Sequence, residues 1–457
     1  MQHQSELKTE FEAFLQSHPD CEYVDVLLPD LCNIIRGKRI SRDQFDKLYT
    51  EGLQIPSSIY LLDVNGNCTD AGGRGFSDGD PDVQIWPVLG SLKLTPWVGP
   101  GAAQVMGCLY ELDGSPCEVD PRHVLKKVVE RFHSSGLNPV VALELEFYLL
   151  DASSAETNQP SPPVLPETGR QATATQVYSL ADLDGFTGFL SEVETICRIQ
   201  DIPVGATTAE YAVGQYEINL NHVDDPLKAA DDAILLQRVV KGIARKHGAV
   251  ASFMAKPYSD GAGNGLHVHV SVLDGDGKNI FNDGSEEGND KLRHAVAGAL
   301  ELLPESMAIF APNVNSFRRF APNLYVPTAA TWGYNNRSVA LRVPAGSPES
   351  KRIEHRVAGA DANPYLALAA VLAGVHHGLI NEATPPEPRA DNAGAELDPQ
   401  MPFTWQAALD QFAQGDSLSD YLGESYSRLY KECKQTELDA FSREFTPLEY
   451  HWYLSPE

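Results

Sequence analysis

The segment VVALELEFYLL, residues 140–150, constrains this chain more than any other stretch. With the two-residue period of an extended strand, Leu143, Leu145 and Phe147 fall on one face and Glu144 and Glu146 on the other. Such a strand belongs in a sheet whose one side lies on a core and whose other side meets something charged. Two carboxylates aimed the same way repel unless a cation sits between them or their pKa values rise. Taken alone, the pair fits either a metal site or the solvated edge of a strand.

Three more segments repeat the arrangement. LHVHVSVL sends Leu266, Val268, Val270 and Val272 to one side and His267, His269 and Ser271 to the other; by itself this fits cross-strand packing as well as a ligand set. Gly261, Gly263 and Gly265 precede it, where backbone approaches something closely. In TTAEYAVGQYEINLN, Glu210 and Glu217 flank a turn at Gly214, and Asn219 and Asn221 share the Glu217 face. RIEHR groups Arg352, Glu354 and Arg356, with Arg337 and Arg342 just upstream. The sum is carboxylates with one or two imidazoles beside several guanidinium groups. Oxygen-dominated donors suit magnesium or manganese, and the lack of nearby cysteines argues against structural zinc. Arginines beside a hard-metal cage suit bridging phosphates, and the combination is the equipment of phosphoryl transfer. Neither G-x-x-x-x-G-K nor G-x-G-x-x-G after a strand occurs at these places.

The rest of the chain bounds what surrounds this chemistry. Its 457 residues suggest about two or three domains, and 42% hydrophobic residues suffice for ordinary cores. A small unit of strands and turns after a leading helix fills residues 1–115. From residue 116 on, helices alternate with strands. Asp120-Pro121, Asp225-Pro226 and Asn363-Pro364 each read as a cap and first residue of a helix. The first has its apolar stripe at Val124, Leu125, Val128, Val129 and Phe132 and stops at Gly136; the second runs to about Gly248; the third, PYLALAAVLAGVHHGL, is apolar nearly all round and therefore buried. Residues 152–175, 282–291 and 381–402 have loop composition. A formal charge of -28 excludes a general nucleic-acid binder and favours cationic small molecules, although acidity also serves solubility. Seven scattered cysteines without a C-x-x-C pair suit a reducing compartment, hence the cytoplasm. The start resembles no signal peptide, and no run of about 18 apolar residues is expected to meet a membrane.

The motifs LELEF, EYAVGQYEIN, GNGLHVHVS, NSFRRF, NRSVALRVP and RIEHRVAGADANPYLALAA, in that order, resemble the glutamine synthetase family over nearly the whole chain. The resemblance implies an α+β fold: a small N-terminal β-grasp-like domain (1–115) serving the neighbouring subunit's site, and a large α/β catalytic domain (116–457). It implies that Glu146, Glu210 and Glu217 hold the metal near glutamate, and that Glu144, His267 and Glu354 hold the metal on the ATP phosphates. It gives His269, Ser271, Arg342 and Arg352 to the nucleotide. Arg319 and Gly263 go to glutamate, and Arg337, Arg342 and Arg356 to phosphates and the acyl phosphate. Asp63 is the candidate carboxylate that deprotonates the amine. Cofactors would be two or three Mg2+ or Mn2+ ions with ATP as co-substrate, and the assembly a homo-oligomer, a dodecamer of two hexameric rings.

The sequence also departs from the family. A flap glutamate is expected six residues after Arg319, but FAPNLYVP places Tyr325 there, and Ala262 replaces an asparagine. A neutral ring leaves room and a π face for an alkylammonium in place of ammonium. Where some bacterial members carry an adenylylated tyrosine, this chain reads RADNAG with Gly394 near the spot, so that control is not expected. The expected activity is an ATP-dependent glutamate–amine ligase acting on a polyamine such as putrescine or spermidine through a γ-glutamyl phosphate. The alternatives are ordinary glutamine synthetase, a ligase for ethanolamine, isopropylamine or an aniline-type amine, and a non-catalytic structural relative.

Overall fold

The computed structural model describes residues 2–455. After a helix at Gln2–Ser17, six strands form the first sheet: β1 (Tyr23–Pro29), β2 (Ile35–Ser41), β3 (Leu53–Pro56), β4 (Asp82–Pro87), β5 (Lys93–Leu94) and β6 (Ala102–Tyr110). Their order is β2-β1-β6-β4-β3, with β5 on β6 and only β1 and β6 parallel. The central β6 is buried almost throughout, whereas β2, IRGKRIS, lies at an edge and exposes Lys38 and Arg39. Charge on an edge strand discourages pairing with other chains, and it hides the strand from a search for alternation.

A second sheet holds the acidic segments. It comprises β7 (Asn138–Asp151), β8 (Val204–Ala209), β9 (Gln215–Leu220), β10 (Ala249–Ser252), β11 (Leu266–Leu273), β12 (Trp332–Tyr334), β13 (Leu341–Val343) and β14 (Ile353–His355). The order is β12-β13-β14-β11-β7-β9-β8, with β10 beside the end of β7, and every pair is antiparallel except β12 with β13. Although helices and strands alternate along this part of the chain, the strands come together mostly antiparallel. The apolar face, including Leu143, Leu145, Phe147, Leu266, Val268, Val270 and Ile218, is buried.

Helices Pro121–Ser134, Pro226–Lys246 and Pro364–Asn381 cover that apolar side. Asp120, Asp225 and Asn363 cap them through hydrogen bonds accepted from the amides of Arg122, of Leu227 and Lys228, and of Tyr365 and Leu366. Each cap satisfies donors that no helical carbonyl reaches. Contrary to the expectation that no segment is apolar enough for a membrane, Pro364–Asn381 passes that test by length and composition; 78% of it is buried inside the protein, which makes it a core helix. It meets helix Asp290–Glu301 backbone to backbone, since a Cβ at Gly378 would lie 1.9 Å from the His294 carbonyl oxygen.

Candidate active site

Strand registers assemble the site. Glu144 lies opposite His267 on one neighbour and Asn219 on the other, and Glu146 lies opposite Glu217. His269 pairs with Glu354, which pairs in turn with Arg342. Side chains directly opposite in adjacent strands share a face. That face is the floor of a cleft of about 1210 Å³, lined by Glu144, Glu146, Glu210, Glu217, His267, His269, Glu354, Arg319, Arg337, Arg342, Arg352, Arg356, Gly263 and Tyr325.

Two sets of donor atoms lie close enough to share an ion: Glu144, Glu217 and His267, and Glu144, His269 and Glu354, each within 4.8 Å of one another. Glu144 links them, 3.2 Å from His267 Nδ1 and 2.9 Å from His269 Nε2. Burial alone would raise the Glu144 carboxyl, but hydrogen bonds and charge from the two imidazoles hold it well below the usual range. Glu354 is buried too, yet Arg356, His267, His269 and Arg342 bring it down to about 2. Arg342 Nη1 donates to Glu354 Oε2 at 2.7 Å, and Arg356 pairs with the other oxygen.

Glu217 and Glu210 are not compensated in this way. Burial, then the charges of Glu144, Glu146 and Glu210, push Glu217 up to about 9. Burial and the charge of Glu146 push Glu210 up to about 7. Crowded carboxylates that take up protons when no cation is near form a donor set fitted to hard divalent cations.

Arg319 is fully buried; one Nη1 hydrogen bond goes to the Val357 carbonyl at 3.0 Å, while Nε has no protein partner. A Cβ on Gly263 would lie 2.7 Å from its Cγ, so glycine permits the loop to run against the arginine. Arg352 Nε donates to His269 Nδ1 at 3.2 Å.

Two expected residues are not in this cleft. Ser271 lies on the same strand as His269 but opposite Val140, and it is not among the lining side chains. Asp63 belongs to the N-terminal part, is 5% exposed, and accepts hydrogen bonds from the amides of Asn65 and Asn67 and from the Asn67 side chain, closing its own turn. Conversely, beside Asn219, which the alternation already places with Glu217, the cleft contains residues that the sequence reading did not single out: Tyr178, Tyr211, Gln215, Tyr258 and Asp260. Gln215 and Asn219 share the face of Glu217 by the two-residue period, a signal available in the sequence. The tyrosines come from loops, where no period exists. Tyr211 and Tyr325 sit 5.8 Å apart at a tilt of 33°, and Arg337 Nη1 donates to Tyr178 Oη at 2.9 Å.

One further cluster, Cys108, Asp120 and His123, is buried outside the cleft. Its members are already committed: Asp120 accepts from the Leu109 and Arg122 amides, and His123 Nε2 lies 2.8 Å from the Leu109 carbonyl oxygen.

Residues 118–453 match the catalytic domain of glutamine synthetase. The chain is 43% identical over 445 residues to gamma-glutamylputrescine synthetase PuuA of Escherichia coli (strain K12), covering 97% of this chain and 94% of that one. It is 32% identical to a glutamate–isopropylamine ligase of a Pseudomonas sp, over 88% and 86% of the two chains. In fold it is similar to the solved structure of apo GmaS without ligand, at a TM-score of 0.83 and 24% identity, covering 97% of this chain and 99% of that one. With the matched residues spanning most of its length and the acidic face of the sheet in place, the chain belongs to the glutamine synthetase family.

Proposed function

We propose that the protein is an ATP-dependent glutamate–amine ligase that joins the γ-carboxyl of glutamate to a polyamine, putrescine or spermidine being the favoured substrates. The observation that carries this reading is the single cleft where acids, imidazoles and arginines converge beneath a rim of tyrosines. The names of the two ligase relatives, one for putrescine and one for isopropylamine, agree with an organic amine.

Glu146, Glu210 and Glu217 would hold one divalent ion, Mg2+ or Mn2+, and Glu144, His267 and Glu354 another, in a set of two or three. Such ions neutralise phosphate charge and make the γ-carboxyl and γ-phosphate meet without repulsion. Arg319, buried and with an unpartnered Nε, binds the glutamate α-carboxylate beside the Gly263 backbone. Arg337, Arg342 and Arg356 grip phosphates and the developing acyl phosphate; His269 and Arg352 position the nucleotide. Phosphorylation turns an inert carboxylate into an electrophile, and a free amine then displaces phosphate.

The amine must first lose a proton. In this reading the acceptor comes from residues 1–115 of a neighbouring copy, with residues 116–457 forming the catalytic domain. Asp63 is the expected carboxylate, and to act it gives up one of its turn hydrogen bonds. Tyr325, 57% exposed where an acid would bind ammonium, offers its ring face to an alkylammonium, with Tyr211 beside it. The protein works in the cytoplasm as a dodecamer of two hexameric rings, a mass that sedimentation tests directly.

Phosphate release from ATP and glutamate, measured with ammonium, putrescine, spermidine, ethanolamine and isopropylamine, tests the reading. The polyamines give the highest kcat/KM and a γ-glutamylamide by mass. Ammonium as the best substrate overturns the choice in favour of ordinary glutamine synthetase. No turnover with any amine, together with no stabilisation by divalent ions, overturns it in favour of a non-catalytic relative.

A further inference from the structure

Gln215 opens β9 immediately after Gly214, whose φ of +76° turns the chain where a Cβ would lie 2.5 Å from the Leu149 carbonyl oxygen. Its side chain is almost completely buried, and a buried carboxamide needs partners for both ends. The Nε2 group faces acceptors: the Gly263 carbonyl oxygen at 3.0 Å, Asn264 Oδ1 at 3.2 Å and Glu146 Oε2 at 3.4 Å. Oε1 accepts from the Ala212 amide at 3.3 Å. This pattern fixes which end of the amide is which, because Asn264 has its own Nδ2 committed to the Met254 carbonyl at 2.8 Å.

The partners belong to two separate parts of the site. Glu146 Oε2 also accepts from the Gly265 amide at 2.8 Å, so two donors hold one oxygen of this carboxylate. The Gly263 carbonyl is in the loop that runs against Arg319. Around Gly265 the two parts nearly touch: a Cβ there would lie 3.0 Å from His267 Nε2, 3.4 Å from Glu146 Oε1 and 3.5 Å from Arg319 Nη2. Asn264 is fully buried and tied by its backbone to Ala255 and Ala360, which anchors the loop beside the Gln215 carboxamide.

We infer that Gln215 is a positioning residue that couples the cation site at Glu146 to the glutamate site at Gly263 and Arg319, so that occupancy of one tightens the other. The inference rests on the ligase reading above. Neutral substitution without hydrogen bonds, Gln215→Met, removes the clamp at nearly constant volume. Gln215→Asn keeps an amide but withdraws it by one methylene, and serves where the first variant does not fold.

The test uses thermal melting of the full-length protein with Mn2+ and glutamate titrated separately and together, and steady-state KM values for ATP. In the wild type, saturating Mn2+ lowers the glutamate midpoint at least fivefold. In the variants this enhancement falls below twofold and the Mn2+ midpoint rises about tenfold, while KM for ATP stays within twofold. An enhancement preserved in both folded variants overturns the clamp. A parallel loss of Mn2+, glutamate and ATP binding with a lower melting temperature of the free protein also overturns it, since that marks a general structural role. A wild type that responds to Mn2+ but never to glutamate overturns the ligase reading and the coupling with it, whereas failure of the clamp alone leaves the wild-type responses intact.

Discussion

Glu217 offers a perturbation whose sign is counter-intuitive. Its side chain is only 13% exposed, and the basic side chain within 4 Å of it is His267, with Nδ1 3.9 Å from Oε2. Burial and three neighbouring glutamates push its carboxyl up from 4.5 to about 9. A group raised in the folded state contributes stability that is fully present below 4.5 and is lost as pH rises through about 9. At pH 7 the folded chain must therefore hold a proton that the unfolded chain has released. At ~1.4 kcal/mol per pH unit over the 2.5 units between 4.5 and 7, this costs at most about 3.5 kcal/mol. Glu217→Gln keeps the shape and removes the proton requirement. In EDTA the variant is therefore more stable than the wild type at pH 7 to 8, and the gap narrows towards pH 5. With saturating Mn2+ the order reverses, because the variant has lost a ligand. Urea midpoints at pH 5, 7 and 8, with EDTA and with Mn2+, read both effects. A variant less stable than wild type at pH 8 in EDTA, or equally stabilised by Mn2+, would refute the argument that uncompensated charge strains the empty floor.

Other substitutions test other layers. Tyr325→Glu raises the ratio of ammonium to putrescine kcat/KM at least tenfold, whereas Tyr325→Phe changes it by less than about threefold, because the ring face rather than the hydroxyl meets the amine. Arg319→Met raises KM for glutamate by roughly 10–100-fold, the equivalent of about 1.5–3 kcal/mol for a charged hydrogen-bonding partner, and leaves KM for ATP unchanged. Gly378→Ala forces a methyl group into the His294 carbonyl and lowers stability by about 1–3 kcal/mol, seen in the urea midpoint, with kcat per folded molecule retained. Asp120→Ala removes a helix cap and the partner of the Leu109 amide, costs about 1–2 kcal/mol, and leaves the Mn2+ response of the protein unaltered.

Much of the site was legible because strand periodicity is local. Alternation in VVALELEFYLL and LHVHVSVL is enough to put Glu144 with Glu146 and His267 with His269, and the Asp-Pro and Asn-Pro pairs announce helix starts that the structure places at Pro121, Pro226 and Pro364. The same rule could have found Gln215, two residues before Glu217, had a neutral amide been weighed with the acids. Ser271 shows the limit of the rule, since facing the right way on β11 does not bring it to the cleft. For Asp63 no local pattern foretold the hydrogen bonds it accepts from the Asn65 and Asn67 amides, because turn contacts have no period. The edge strand β2 escaped because its exposed basic residues break the alternation.

What the sequence by itself determined is which side chains share a face and where helices begin, because both follow from backbone geometry over a few residues. Only the tertiary structure decided that Glu144 meets His267, Glu146 meets Glu217 and Glu354 meets Arg342, and that Tyr178, Tyr211 and Tyr325 gather from three loops. Register between distant strands, the packing of loops and the proton affinity of buried acids depend on the whole fold, since each is set by neighbours that no local window contains.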